Sequence, residues 1–251
     1  MAGDIFSAFP LRAFRTDAES RKEHKRFERF CRTELSKYQH VLYVMGNHEY
    51  WRDYMPDVPG LLRDFLAEHA PHVRLLDNEA TQIGGVHFVG TTLWADHGSG
   101  GPDELLIRRG YNDFNRIWVP SQCEFARKGR RRALPHDLKA LHQAAIAFLH
   151  QTIPGLGEPV VLITHHAPSW QSAHGHDYGT PYLDPCYCSN QVDFILQNPH
   201  IKLAIHGHTH HRENYQIGDT KILSNPRGYY PIERIARWFD PAAADLDLNA
   251  N

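Results

Sequence analysis

Three short apolar runs each stop at a turn that carries histidine, and this recurrence constrains the fold more than any other feature of the chain. Residues 40–45 run into Gly46-Asn47-His48-Glu49-Tyr50-Trp51. Val160-Val161-Leu162-Ile163 runs into Thr164-His165-His166-Ala167-Pro168, and residues 201–205 run into His206-Gly207-His208-Thr209-His210-His211. A short apolar run closed by glycine or by a polar cluster reads as a buried strand ending in a tight turn. Ligands at the carboxyl ends of neighbouring strands converge on one crevice, which is where α/β sheets place their sites. His208 and His210 lie two residues apart and point the same way on an extended backbone, so they can reach one ion or two adjacent ones. A polar turn with solvated histidines competes as a reading of any one of these stretches, and the repetition at three strand ends weakens it.

The remaining chain supplies helices and hairpins around these strands. Residues 17–37 are charged, with Phe27, Phe30, Cys31 and Leu35 at helical spacing, which predicts an amphipathic helix. Helices are also predicted over residues 60–69, 136–152 and 189–197. Residues 73–76 read as a strand, 80–83 and 86–92 as a hairpin around Gly84-Gly85, and a second hairpin turns at Gly218-Asp219. Residues 94–133 lack a period, and 178–188 read as an irregular insert. The first of these contains the basic run Arg127-Lys128-Gly129-Arg130-Arg131-Arg132, expected as a solvated loop, with a flexible rim that attracts an anionic substrate as the alternative. Strands alternate with helices early and pair in hairpins late. The expected fold class is therefore α/β, one domain over residues 1–240 with mixed β-sheets flanked by helices, and a frayed polar tail over 241–251.

Composition narrows the function. The 251 residues carry a net charge of −2, too little for a strong field toward nucleic acid or a membrane surface. No run approaches the roughly 18 apolar residues of a membrane span. Four cysteines make no disulfide framework, and Cys186-x-Cys188 lacks a second pair for a zinc knuckle; reduced thiols in a cytoplasmic protein are expected. Met1-Ala2-Gly3-Asp4 starts no signal peptide. Nineteen histidines are the outlier. Imidazoles with an amide and a carboxylate form a mixed nitrogen and oxygen donor set, which suits Mn, Fe, Zn or Co better than Ca or Mg.

In order along the chain, Gly46-Asn47-His48-Glu49, Thr164-His165-His166-Ala167-Pro168 and Gly207-His208-Thr209-His210 resemble the successive motifs of the calcineurin-like metallophosphoesterases. Ser224-Asn225-Pro226-Arg227-Gly228-Tyr229 and Asn112-Asp113-Phe114 resemble segments of their bacterial members. The resemblance implies a four-layer fold of mixed sheets sandwiched by helices. It also implies two divalent metals, manganese first among them, and hydrolysis of a small phosphorylated substrate, a phosphomonoester or phosphodiester. By this likeness Asp4 bridges the two metals. Asn47, His165 and His208 complete one metal's protein ligands, and His210 serves the other. His165 rather than its neighbour His166 matches by register. His48 matches the histidine beside the scissile ester, a general acid or transition-state stabiliser. Arg227 is a candidate phosphate contact, with a structural salt bridge as its alternative; His206 and His211 are expected to support the motif or lie at the surface. The family's first motif, a strand ending Asp-x-His, has no counterpart before Gly3. A missing first strand, reduced stability and weak or absent activity are therefore expected, and a binding protein with a partial metal site is the alternative to an enzyme. The oligomeric state is not legible.

Overall fold

The computed structural model describes residues 1–12, 17–122, 129–157, 159–175 and 179–241. Arg127 and Lys128 of the basic run, Tyr178 of the insert, Cys123 and nearly all of the expected tail lie outside the described residues.

The backbone builds four layers. The outermost is helical, made by α1 (Ala18–Thr33) and α2 (Val58–His69). Asp17 caps α1 by accepting from the Ser20 N–H at 2.9 Å, and the helix turns Phe27 and Cys31 inward, one helical turn apart. Beneath it β1 (Val41–Tyr43) pairs in parallel with β2 (Val73–Leu75). On the other side of β1, Ala2 bridges Val44 in parallel, and the Val44 N–H donates to Met1 O at 2.9 Å. The third layer is a six-stranded sheet in the order β3-β4-β7-β8-β10-β9, comprising β3 (Glu79–Ile83), β4 (Val86–Thr91), β7 (Val160–Thr164), β8 (Ile201–His206), β9 (Glu213–Ile217) and β10 (Thr220–Ser224). β4, β7, β8 and β10 run parallel, and the two edge strands are the antiparallel arms of the hairpins. The last layer holds α5 (Pro135–Thr152) and α6 (Val192–Gln197).

Alternation along the strands decides which layer each side chain joins. In β7, Val161 and Ile163 face Val44, Leu76, Leu203 and Leu223 between the two sheets. Val160 and Leu162 face α5 and α6, among Ala145, Leu149, Phe194 and Ile195. Burial on both faces explains why β7 reads as an uninterrupted apolar run.

The register then sets the site. Thr91 pairs with Thr164, Ile163 with Ile205, and Ser224 with His206, so the parallel strands end level with one another. The turns after β1, β7 and β8 leave from this common edge.

Residues 94–133 are more regular than their sequence suggests. They contain α3 (Glu104–Gly110), α4 (Asp113–Arg116), β5 (Trp118–Pro120) and β6 (Arg130–Arg132), each too short to display a period. The described arginines of the basic run are not a solvated loop. Arg130 lies over the Tyr54 ring at 4.2 Å, Arg132 over Trp118 at 3.8 Å, and Arg131 forms a two-pronged pair with Asp137 at 2.5 and 2.7 Å. Likewise Pro181–Cys186 of the insert forms a 3₁₀ helix. Among the described residues, no helix is long and apolar enough to cross a membrane.

Candidate metal centre

At the shared strand edge, Asp4, His165 and His208 each offer a ligand atom within 4.8 Å of the others. His165 Nε2 lies 3.0 Å from Asn47 Oδ1, 3.1 Å from His208 Nδ1 and 3.4 Å from Asp4 Oδ1. Donors about 2.1 Å from one ion and at right angles to it stand about 3 Å apart, so the spacing is that of a ligand shell.

The surrounding hydrogen bonds show which lone pairs face inward. His165 Nδ1 donates to Ala2 O at 2.7 Å, which leaves Nε2 bare. His208 Nε2 donates to Cys186 O at 3.3 Å and has the Tyr111 hydroxyl at 3.0 Å, which leaves Nδ1 bare. The Asn47 amide donates to both oxygens of buried Asp113 at 2.9 and 3.1 Å, so Oδ1 turns toward the imidazoles. Two bare nitrogens, an amide oxygen and a carboxylate oxygen thus face one another. Such acceptors repel unless a proton or a cation lies between them, and outer hydrogen bonds that fix the tautomer of each ring are typical of metal sites. The residues present therefore fit a divalent ion.

Electrostatics follow from the same packing. Burial alone would raise the Asp4 carboxyl, but the neighbouring His165 and His48 outweigh it and hold Asp4 well below the usual carboxylate range. His165 is opposed by burial and raised by Asp4. His208 is pushed well down by burial and by His166 and His165.

Glu49 ties the Asp4 segment to the turn at Gly46. Its buried carboxylate accepts from the backbone N–H of Asp4 at 3.0 Å, Ile5 at 2.8 Å and Gly46 at 2.8 Å, and from the Tyr43 hydroxyl at 2.5 Å. Gly46 is required by this close approach, because a Cβ there would come 2.6 Å from both the Asp4 nitrogen and His165 Cε1. Asp4, His208 and His210 adopt left-handed φ values of 56°, 66° and 54°. Non-glycine residues rarely do so, and each costs on the order of 1 kcal/mol or more that the surrounding structure must offset.

His48 sits at the rim. Its backbone N–H donates to Asp4 Oδ1 at 2.9 Å, its Nε2 is 3.7 Å from Asp4 Oδ2, and its ring stacks on Trp51 at 3.4 Å. Burial, against the pull of Asp4, lowers His48 to about 4, so the ring is neutral near pH 7 without a bound ion. His210 is not in the inner group; its Nδ1 bonds the Glu233 carboxylate at 2.9 Å. His166 is not in the inner group, although its ring lies 4.2 Å from that of His208; its Nδ1 is 3.2 Å from Thr92 O and its ring is beside Trp94. His206 is buried on Ser172 Oγ at 3.1 Å, and His211 stacks on His174 at 3.7 Å. Arg227 is exposed after β10, and among the described residues no ion pair holds it. Glu49, Asp113, Tyr111, Tyr229 and Glu233 shape the site but carried no assigned role in the sequence reading. Glu49, Asp113 and Tyr229 had a signal there, since all three lie in the motif segments.

The sequence profile of calcineurin-like phosphoesterases matches residues 1–212. The chain belongs to the calcineurin-like phosphoesterase family. Membership points to hydrolase chemistry of the phosphoesterase kind, and the family generally uses divalent metals. Uncharacterized protein L509 of Acanthamoeba polyphaga mimivirus is 25% identical over 205 residues, 76% of this chain and 69% of that protein. The crystal structure of phosphopantetheinyl hydrolase from Mycobacterium tuberculosis shares the fold, with a TM-score of 0.58 and 17% identity over 82% of this chain and 75% of that one.

Proposed function

We propose that the chain hydrolyses a phosphomonoester or phosphodiester with metal-activated water. The observation that carries this reading is the set of inward lone pairs on Asp4, Asn47, His165 and His208, fixed from outside by Ala2, Cys186, Tyr111 and Asp113. These four residues would hold one ion, and Asp4 with His210, whose Nδ1 bonds Glu233, would serve a second. A bound divalent ion, Mn, Fe, Zn or Co, supplies Lewis acidity toward a phosphoryl oxygen and a lowered pKa for water. The protein's own part is to place the ester. His48, braced by Asp4 and stacked on Trp51, presents its imidazole at the rim, where it meets the leaving oxygen with a hydrogen bond. Arg227, on the exposed loop after β10, is a candidate phosphate contact.

The test is turnover of a panel of phosphomonoesters and phosphodiesters by protein reconstituted with each metal. His48→Ala is expected to lower turnover about 10²- to 10³-fold with bound metal unchanged. Metal loss in that variant would make His48 a ligand. Full metal loading without hydrolysis of any ester would leave a metal-binding protein instead.

A further inference from the structure

The segment after β10 returns across the rim of the metal centre and is tied down along its length. The Asn225 amide donates to Asp240 O at 2.9 Å, and Arg212 donates to Trp238 O at 2.6 Å. Between these ties Glu233 bonds His210 and also accepts from the Tyr229 N–H at 2.9 Å, while its own N–H donates to Tyr229 O at 2.8 Å. Tyr229 is thereby set against the two rim histidines. Its ring is nearly parallel to His48, with 16° between planes and centroids 5.9 Å apart, and meets His210 edge-on at 4.7 Å. Its hydroxyl lies 3.2 Å from His48 Nε2. Trp51, fixed by its Nε1 donating to Asp113 at 2.6 Å, stacks on the same His48. Tyr229 remains 45% exposed, and Tyr230 and Trp238 on the same segment are 66% and 75% exposed.

These rings stand where the organic half of an ester must go. With phosphorus at the metal donors and the leaving oxygen at His48, the group beyond that oxygen meets Tyr229. A flat aromatic face is what a half-exposed phenol ring, held in place on both sides, recognises best. Resting on the hydrolase reading above, we propose that Tyr229 is a substrate-contacting residue and that the substrate's leaving group is planar and aromatic, of the aryl or nucleoside kind.

The experiment measures binding, so that it does not depend on turnover. Phenylphosphonate and methylphosphonate, neither of which can be hydrolysed, are titrated calorimetrically into the manganese-loaded full chain. The phenyl compound is expected to bind roughly three- to tenfold tighter. Tyr229→Ala abolishes that preference without changing methylphosphonate affinity or metal content, and Tyr229→Phe keeps it. Equal binding of the two compounds by the unaltered chain, binding of neither, or a preference that survives Tyr229→Ala overturns the proposal. A Tyr229-dependent preference in a protein that hydrolyses no ester sinks the hydrolase reading, and the leaving group with it, and leaves Tyr229 as an aromatic-binding residue. Hydrolysis without the preference does the reverse.

Discussion

Asp113 holds Asn47 through both carboxylate oxygens and Trp51 through its indole N–H, so one buried group aims the Asn47 oxygen at His165 and steadies the ring under His48. Asp113→Ala leaves two buried donors unpaired and frees the Asn47 amide to turn. Metal affinity is expected to fall 10- to 100-fold, measured by competition with a chelator. His97 carries a different prediction. It is fully buried, with Nδ1 donating to Ala95 O at 2.6 Å, and burial lowers it from 6.5 to about 4. The fold thus prefers the neutral ring. Its contribution is fully present above pH 6.5 and drains as pH falls to about 4, where the unfolded chain binds a proton that the folded one refuses. Relative to His97→Gln, the native chain should lose on the order of 3 kcal/mol across that window in urea titrations. At this scale the sequence marked the residues that meet at the strand edge and hid what aims them. Each donor shares its strand end with a glycine or another histidine, so the local pattern announces it. Asp113 acts on a residue 66 positions away and Tyr229 on one 181 positions away, and no local pattern carries such a pairing.

Among the elements, the long or double-buried ones were legible, as were short β1, β2 and α6, whereas the short elements within residues 94–133 were not. α1 and α5 span enough turns to show their buried stripe, β7 shows an unbroken apolar run, and β8 shows one interrupted by Lys202 alone before its histidine. Three-residue strands such as β5 and β6 cannot display a period of two, and the arginines of β6 look solvated until Tyr54, Trp118 and Asp137 are seen against them. The turn after β1 depends on closeness rather than on pattern. Gly46→Ala must push Asp4 or His165 aside, so the purified variant should bind far less metal than the native chain, with a loss of about 1–3 kcal/mol in unfolding free energy. Native metal stoichiometry in Gly46→Ala would show that these strand ends yield more than their packing suggests.

For the molecule as a whole, the four layers expected from the resemblance are present, with the apolar seam between the sheets running from Val44 and Leu76 to Leu203 and Leu223. The seam and the Glu49 bonds use no metal, so the ion-free protein should already be folded. Saturating ion is expected to raise the melting temperature by several degrees, roughly 2.7 kcal/mol at a hundredfold excess over Kd, with an unchanged far-ultraviolet circular dichroism spectrum. A gain of helix or strand on adding metal would mean that the ion folds the site. Glu49 gathers three main-chain amides and a phenol around one carboxylate before any ion arrives. A socket cut in advance from imidazole, amide and carboxylate draws up the shortlist of tenants by donor type and geometry, and leaves the choice within that shortlist to supply.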